Sequence, residues 1–160
     1  MYRCLIANRG EIAVRIIRAC RELNIETVAI YAKGDETSLH VSLADQAICI
    51  GEANPLDSYL NIDRIISAAK VTESNAIHPG YGFLSESTNF AKAVEDNHIH
   101  FIGPSKTTME MMGDKITARQ TVKQAGVPVI PGSNDAVQSV DEVKLLAKEI
   151  GFPVVLKAAS

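Results

Sequence analysis

The chain has 160 residues, a net charge of −3, 46% hydrophobic residues and 22% charged residues, which suits one well-packed globular domain with room for part of a second. This weak negative charge and an aromatic content of only 5% argue against nucleic acid and anionic membranes as partners, because both attract basic surfaces and bases stack on aromatic rings. No apolar stretch approaches membrane-spanning length and no signal peptide is evident, so we expect a cytoplasmic protein.

The three cysteines, Cys4, Cys20 and Cys49, are odd in number and widely spaced. They form no Cys-x-x-Cys motif, so their pattern favours neither a disulfide framework nor a zinc site. We expect all three to be small buried hydrophobic side chains in a reducing compartment.

Short apolar runs alternate with helical patterns through the first hundred residues. The predicted strands cover residues 3–7, 27–31, 46–50, 76–78 and 99–102. The predicted helices cover residues 11–23, 61–71 and 88–97, with a shorter turn at 40–44. Strands that alternate with helices pair in parallel through right-handed crossovers. The pattern therefore predicts a three-layer α/β fold with a Rossmann-like parallel sheet.

The first predicted helix has two different faces. Its apolar stripe, expected to pack on the sheet, comprises Ala13, Ile16, Ile17, Cys20 and Leu23. Another face carries Glu11, Arg15, Arg18 and Glu22. A charged row of this kind is usually a solvated surface. Its mixed signs are also self-complementary, so it suits a two-fold contact in which each arginine meets a partner's glutamate.

The sequence IANRGEIA, residues 6–13, lies where the first strand passes into the first helix. In a parallel sheet this connection is at the carboxyl edge, where ligands bind. A Gly-x-Gly-x-x-Gly motif is absent because Gly10 stands alone, so the pattern does not favour a dinucleotide site. Taken alone, the motif favours Asn8 or Gly10 shaping a tight turn and capping the helix.

The sequence HPGYGFLSE, residues 78–86, follows the fourth predicted strand. Two glycines that flank Tyr81 let the backbone approach a ligand closely while the ring is held at the strand end. A plain strand-to-helix turn needs one glycine and no tyrosine, so this motif favours a binding site. His78 alone is more typical of a hydrogen-bonded structural imidazole than of a catalyst.

The alternation of strands and helices pauses after Gly103. Helical patterns at 105–112 and 114–124 meet at Gly113, where we place a boundary between domains of residues 1–112 and 113–160. A turn at 131–134 and an amphipathic helix at 140–150 follow, and a buried strand is predicted at 152–157.

Two lysines in this second part are candidates for anion binding. Lys115 lies in the first turn of a helix, whose amino end and ammonium group would both attract a phosphate, although a solvated lysine is an equal alternative. Lys157 lies in an apolar strand pattern, where an ammonium group needs an anion or a path to solvent. The competing account of Lys157 is an edge-strand lysine that blocks aggregation.

Five motifs, taken together and in order, resemble the biotin carboxylase family. They are IANRGEIA at 6–13, SYLN at 58–61, HPGYGFLSE at 78–86, FIGP at 101–104 and GDK at 113–115. The chain looks most like the biotin carboxylase subunits of bacterial acetyl-CoA carboxylases, and the resemblance runs from residue 3 to the end. It implies a pre-ATP-grasp domain followed by the truncated start of an ATP-grasp domain, whose glycine-rich phosphate loop would begin at Ser160.

The resemblance also implies roles for seven residues. Those expected to contact ATP are Lys115 and Lys157, those lining the biotin pocket are Tyr81 and Gly82, and those on the dimer-interface helix of a homodimer are Arg15, Arg18 and Glu22. The family's metal-binding carboxylates, bicarbonate-binding arginine and catalytic glutamate correspond to no residue of this chain. No catalytic residue is therefore assigned within it.

The implied activity is an ATP-dependent ligase reaction that consumes ATP and bicarbonate, with Mg²⁺ or Mn²⁺, to carboxylate biotin on a carrier protein. The carrier then serves carboxyltransferase subunits, as the first half-reaction of acetyl-CoA carboxylase in fatty acid synthesis. The 160-residue chain alone is expected to be inactive. The alternatives are the same module of a pyruvate or propionyl-CoA carboxylase, another ATP-grasp ligase of carbamoyl-phosphate or purine metabolism, and a non-catalytic dimerisation module.

Overall fold

The structure, a computed structural model, describes residues 2–113, 115–133 and 136–156, with only the backbone of Lys115 and Ile116. The chain forms two compact units, Met1–Lys106 and Thr107–Ser160. The domain limits of 1–112 and 113–160 stay a prediction.

The first unit is built on a five-stranded parallel sheet. Its strands are β1 Arg3–Ile6, β2 Glu26–Ala32, β3 Gln46–Gly51, β4 Ala76–His78 and β5 His100–Phe101. Their spatial order is β3-β2-β1-β4-β5, and every neighbouring pair is parallel. The five predicted strands are confirmed to within one residue at each end.

Four helices and a short 3-10 helix, Pro55–Asp57, connect these strands. The helices are α1 Gly10–Glu22, α2 Leu39–Leu43, α3 Ile62–Val71 and α4 Thr88–Asp96. α1 packs against α2, and α3 packs against α4. Because right-handed crossovers run from β1 toward β3 and in the other direction toward β5, the two helix pairs cover opposite faces of the sheet. The predicted three-layer α/β fold is confirmed.

The apolar stripe of α1 builds the core with β1. Ala13, Ile16, Ile17 and Cys20 are buried in one cluster with β1 and β4 residues that include Cys4. The stripe was expected to include Leu23, and that prediction is wrong because the side chain is 69% exposed. Leu23 is the C-cap residue, so it lies past the last helical turn that faces the sheet.

The cysteines differ in their surroundings. Cys4 and Cys20 are buried, as expected, but Cys49 is exposed. Cys49 lies on β3, which has a neighbour on one side only, and most side chains of this strand are not fully buried. The prediction of three buried cysteines is therefore wrong at Cys49, because an edge strand leaves part of its surface open to solvent.

The order of the strands defines a switch point between β1 and β4. From β1 the chain moves to one side of the sheet through β2 and β3, whereas β4 and β5 lie on the other side. Open parallel sheets bind ligands at the carboxyl ends of the strands at such a point. The backbone N–H of Ala7 donates to the carbonyl of His78 at 2.9 Å, so the connections after β1 and β4 leave the sheet side by side.

Beyond β5, the described residues form three helices, α5 Lys106–Gly113, α6 Lys115–Gln124 and α7 Val140–Ile150. These helices confirm the helical patterns predicted at 105–112, 114–124 and 140–150. None of the helices in the described part of the chain is long and apolar enough to span a membrane.

The strand predicted at residues 152–157 is wrong over its described part. Residues 152–156 form no strand, and Phe152, Val155 and Leu156 are 77%, 80% and 69% exposed instead of buried. A strand is stabilised by hydrogen bonds to a neighbouring strand, and no described strand lies beside this segment. The remaining residue of the prediction, Lys157, lies outside the described residues.

Candidate functional site

Asn8 bridges the two connections at the switch point. Its side chain is buried, with 3% exposure, and its Nδ2 donates to the carbonyls of Pro79 at 2.7 Å and Tyr81 at 2.8 Å. Its Oδ1 accepts from the backbone N–H of Arg9 at 2.9 Å. The expectation that Asn8 caps α1 is wrong, because the N-cap residue is Arg9 and no side chain makes a cap hydrogen bond there.

The connection after β4 turns sharply through left-handed backbone conformations. Gly80, Gly82 and Phe83 have φ angles of +67°, +65° and +43°. A Cβ atom on Gly80 would lie 2.7 Å from Asn8 Nδ2, so glycine is required there for space as well as for conformation. Phe83 is not a glycine, and its ring is stacked on that of Tyr59 with centroids 5.3 Å apart. Backbone strain of this kind clusters at functional sites.

Tyr81 lies between the two glycines and is 60% exposed. Its phenol donates a hydrogen bond to Glu11 Oε1 from the first turn of α1. This bond to a carboxylate raises the pKa of Tyr81, so the phenol stays a neutral donor. Tyr81 is therefore tied to Glu11 through its hydroxyl and is unsuited to act as a general base.

A cleft of about 290 Å³ opens beside this turn. Its lining comprises Asn8, Arg9, Glu11, Ile12 and residues 81–83. Around Gly82, no atom lies within 4 Å of where a Cβ would be, so the backbone at that position is open to a ligand. The cleft thus combines an exposed aromatic ring, accessible backbone and one cationic and one anionic side chain.

His78, the last residue of β4, stabilises the turn that contains Gly80. Its Nδ1 accepts from the backbone N–H of Gly80 at 3.0 Å, so the ring proton resides on Nε2. Burial lowers the pKa of His78, which keeps the imidazole neutral and able to accept this bond. The expected hydrogen bond of the His78 imidazole is confirmed, and its structural role stays a prediction.

A second network joins the connections after β1 and β2. Arg9 pairs with Asp35 Oδ2 at 2.9 Å, and its guanidinium lies 5.7 Å from the centroid of the Tyr59 ring. The buried Tyr59 phenol donates to the same carboxylate oxygen at 2.7 Å and accepts from the backbone N–H of Ala32 at 3.0 Å. Burial raises the pKa of Tyr59. This network fixes the ring on which Phe83 stacks.

Sequence reasoning missed these supporting residues. Arg9 and Asp35 lie in the connections that follow β1 and β2, and polar residues in the connections after neighbouring parallel strands meet at one edge of the sheet. That position was the signal that could have identified them. Glu11 carried no such signal, because an acidic residue in the first turn of a helix is ordinary.

The predicted interface residues lie on the outer face of α1. Arg15, Arg18 and Glu22 are all exposed, and none forms an ion pair with another residue that the structure describes. Arg15 and Arg18 also line a groove of about 490 Å³ that reaches the buried His40 of α2. Their placement leaves these charges available to a partner.

The predicted ATP-binding lysines belong to the second unit. Lys115 begins α6, and its side chain is not among the described atoms, while Lys157 lies outside the described residues. The structure therefore brings together Tyr81 and Gly82 but does not place the two lysines. Within the described residues, no group of three or more histidine, cysteine, aspartate or glutamate side chains is arranged to hold a metal ion.

Comparison with known proteins identifies two sequence families. The family described as "Biotin carboxylase, N-terminal domain" matches residues 1–109. The family described as "Carbamoyl-phosphate synthase L chain, ATP binding domain" matches residues 114–160. Among curated relatives, "Biotin carboxylase 1" of Bacillus subtilis is 56% identical over 158 residues, which are 99% of this chain and 35% of that protein.

Two solved structures are similar over nearly the whole chain. One is the biotin carboxylase domain dimer of Hydrogenobacter thermophilus 2-oxoglutarate carboxylase, solved in complex with MgADP, ADP and bicarbonate. It is 53% identical with a TM-score of 0.88, and the match covers 98% of this chain and 34% of that one. The biotin carboxylase subunit of a pyruvate carboxylase is 56% identical with a TM-score of 0.79. The match covers 94% of this chain and 33% of that one.

The chain spans about a third of the length of these relatives. The resemblance inferred from the five motifs is confirmed, because the N-terminal domain family covers more than half of the chain and the fold agrees with the solved structures. With its first 109 residues matched to the family's N-terminal domain, the chain belongs to the biotin carboxylase family.

Proposed function

We propose that this chain is the N-terminal part of a biotin carboxylase, which uses ATP and bicarbonate to carboxylate biotin on a carrier protein. The observation that carries this proposal is the left-handed turn from Gly80 to Phe83, which presents the exposed Tyr81 ring and open backbone at the switch point of the sheet. The family to which the chain belongs supplies the chemistry that such a cleft would serve.

Tyr81 and Gly82 form one wall of the biotin site in this proposal. The absence of a side chain at Gly82 lets the fused rings of biotin approach the backbone, and the Tyr81 ring packs against their apolar surface. The phenol is held by Glu11 and is a neutral donor, so Tyr81 contributes binding and orientation, not proton transfer.

Lys115 and Lys157 bind the ATP phosphates in this proposal. Both fall in the segment that matches a family described as an ATP binding domain, and an ammonium group stabilises phosphate charge. A bound Mg²⁺ or Mn²⁺ would neutralise further charge on the phosphates. The described residues offer no set of ligands that fits such an ion, so we assign no step to the metal.

The proposed acceptor of the complete enzyme system is acetyl-CoA, which places the reaction at the start of fatty acid synthesis. Relatives named for 2-oxoglutarate and pyruvate carboxylases are similar to the chain to the same degree as "Biotin carboxylase 1". The acceptor is tested by adding the native carrier and carboxyltransferase and comparing acetyl-CoA, propionyl-CoA, pyruvate and 2-oxoglutarate as substrates. Transfer to one of the others alone would replace acetyl-CoA in this proposal.

Dimer formation through α1 is the second part of the proposal. The support is the exposed, self-complementary face of Arg15, Arg18 and Glu22. A similar biotin carboxylase domain was solved as a dimer. A purely structural dimerisation module would carry the same face, so activity and assembly have to be measured separately.

The function is tested with the full-length enzyme by measuring ATP cleavage with and without bicarbonate and biotin. We expect cleavage to depend on both, and we expect Tyr81→Ala to raise the KM for biotin about tenfold while the KM for ATP changes less than about twofold. Bicarbonate-dependent ATP cleavage by the 160-residue chain alone would contradict the proposal, and so would ATP cleavage by the full-length enzyme at a rate independent of biotin.

A further inference from the structure

The wall of the biotin site proposed above, formed by Tyr81 and Gly82, depends on the conformation of the turn after β4. Gly80 and Gly82 alone do not fix that conformation. Glycine makes the left-handed conformations accessible but leaves them unfixed, because it also permits many others. Phe83 adds a left-handed residue that carries a side chain, which is unfavourable without support. A turn of this composition needs contacts from outside to stay in one conformation.

Asn8 provides the contact that reaches the glycines themselves. Both hydrogens of its side-chain amide are used, one toward the carbonyl before Gly80 and one toward the carbonyl before Gly82. Its oxygen is also satisfied, by the backbone N–H of Arg9. The residue is therefore a rigid three-point bridge between the connections after β1 and β4.

The placement of this bridge follows from the strand register. β1 and β4 are neighbours, with Ile6 opposite His78, so the second residue after each strand, Asn8 or Gly80, lies at the same level. The Asn8 amide nitrogen would lie 2.7 Å from a Cβ on Gly80, which shows how closely the side chain packs on the turn. Aspartate has a similar shape but would direct acceptors at two carbonyl oxygens.

We propose that Asn8 is a positioning residue for biotin, acting through the two carbonyl groups that bracket the Gly80-Tyr81 segment. The inference rests on the proposed function of the cleft and adds a residue from the other side of the switch point. Asn8 does not need to touch biotin itself. Its substitution should shift or loosen the wall formed by Tyr81 and Gly82, and so weaken binding of biotin more than binding of ATP.

The test uses Asn8→Ala and Asn8→Asp in the full-length enzyme, with steady-state kinetics for free biotin and for ATP. Loss of one buried and one partly buried hydrogen bond predicts a rise in the KM for biotin of roughly tenfold to a hundredfold, with the larger effect for Asn8→Asp. The KM for ATP should change by less than about twofold. Asn8→Ser keeps one donor, should give an intermediate value, and replaces the alanine variant if that variant does not fold.

Asn97→Ala is the matched control. Asn97 also donates a side-chain hydrogen bond to a backbone carbonyl, that of Ala93 at 2.7 Å, but it follows α4 at the amino edge of the sheet. We expect this variant to lower the melting temperature without changing the KM for biotin.

Two outcomes would overturn the proposal for Asn8. One is an unchanged KM for biotin in folded Asn8 variants, and the other is an equal rise in the KM for both substrates. If the parent enzyme itself shows no biotin-dependent ATP cleavage, the proposed function fails instead. Biotin-dependent ATP cleavage by the parent enzyme therefore shows which of the two proposals has failed.

Discussion

Gly80, in the turn beside the cleft, is the position at which the Asn8 side chain leaves no room for a Cβ atom. Gly82, two residues later, has nearly the same φ angle, +65° against +67°, but open space where a Cβ would be. The two glycines therefore separate the cost of a left-handed backbone from the cost of a steric clash.

We expect Gly82→Ala to lower the free energy of unfolding of the 160-residue chain by about 1 kcal/mol, since an alanine is strained in the left-handed region. Gly80→Ala should cost about 2–4 kcal/mol, because the added methyl group also meets the Asn8 amide. Urea denaturation measures both values. Equal losses for the two variants would show that Asn8 moves aside freely.

His40 is a second residue whose surroundings give a measurable consequence. Its side chain is 1% exposed and its Nε2 donates to the carbonyl of Ile30 at 3.2 Å, which leaves the lone pair on Nδ1 without a partner among the described residues. Burial lowers the pKa of His40 because the charged imidazolium is poorly solvated. The folded protein thus favours the neutral ring.

A lowered pKa in the folded state fixes the sign of the pH dependence. The unfolded chain binds the proton more tightly, so the stabilisation is complete above the unfolded pKa of about 6.5 and is lost as pH falls below it. We expect the free energy of unfolding to decrease from pH 7 to pH 5, and to decrease less in His40→Gln. A contribution from His78, whose pKa is lowered in the same direction, should remain in that variant.

Measurement at pH 8 gives the cost of the His40→Gln substitution itself, because both histidines are then neutral in folded and unfolded chains. Subtracting this cost from the values at lower pH isolates the titration. Identical pH dependence in the parent chain and in His40→Gln would show that the imidazole of His40 is protonated as easily in the fold as in the unfolded chain.

The cleft could be predicted from the sequence only in part. Tyr81 and Gly82 stood out because paired glycines around an aromatic residue are unusual at a strand end. The partners of Asn8 are backbone carbonyls 71 and 73 residues later, and a backbone carbonyl has no signature in the sequence. The register of β1 against β4 had to be known before that contact could be inferred.

Among the elements, the connections after β1, β2 and β4 are held together by Tyr59, which follows the short helix Pro55–Asp57. Its phenol exchanges hydrogen bonds with Asp35 and Ala32, and its ring stacks on Phe83. Tyr59→Phe keeps the ring but leaves the buried N–H of Ala32 unsatisfied. We expect the free energy of unfolding to fall by about 1–3 kcal/mol, as urea denaturation would measure.

Tyr31→Phe is the control for this substitution. Tyr31 lies on β2 next to Ala32 and is only half-buried, and its hydroxyl makes no hydrogen bond to any residue in the described ranges. Its substitution should change the free energy of unfolding by less than about 0.5 kcal/mol. Equal effects of the two substitutions would mean that the Tyr59 phenol contributes nothing beyond its volume.

Periodicity predicted the sheet and the longer helices of the first unit well because α1, α3 and α4 each bury one apolar face there. The four buried residues of the α1 stripe repeat at helical spacing, and each of the five predicted strands of the first unit pairs with another of them. Periodicity failed at Leu23 and at residues 152–156. In both places the apolar side chains lack a surface to pack against among the described residues, and a pattern of apolar residues alone does not reveal the absence of a partner.

At the scale of the whole molecule, the charges on the outer face of α1 allow a prediction about dimer formation. In a two-fold contact Arg18 of one protomer would meet Glu22 of the other, so Arg18→Glu places two carboxylates against each other and should dissociate the full-length dimer. The charge-swapped variant with Arg18→Glu and Glu22→Arg restores opposite charges and should recover it. Sedimentation velocity distinguishes the species, and Lys70→Glu on the exposed face of α3 is the control for charge reversal alone. A dimer that persists in Arg18→Glu, or one that the charge swap does not recover after dissociation, would exclude this pairing as the basis of assembly.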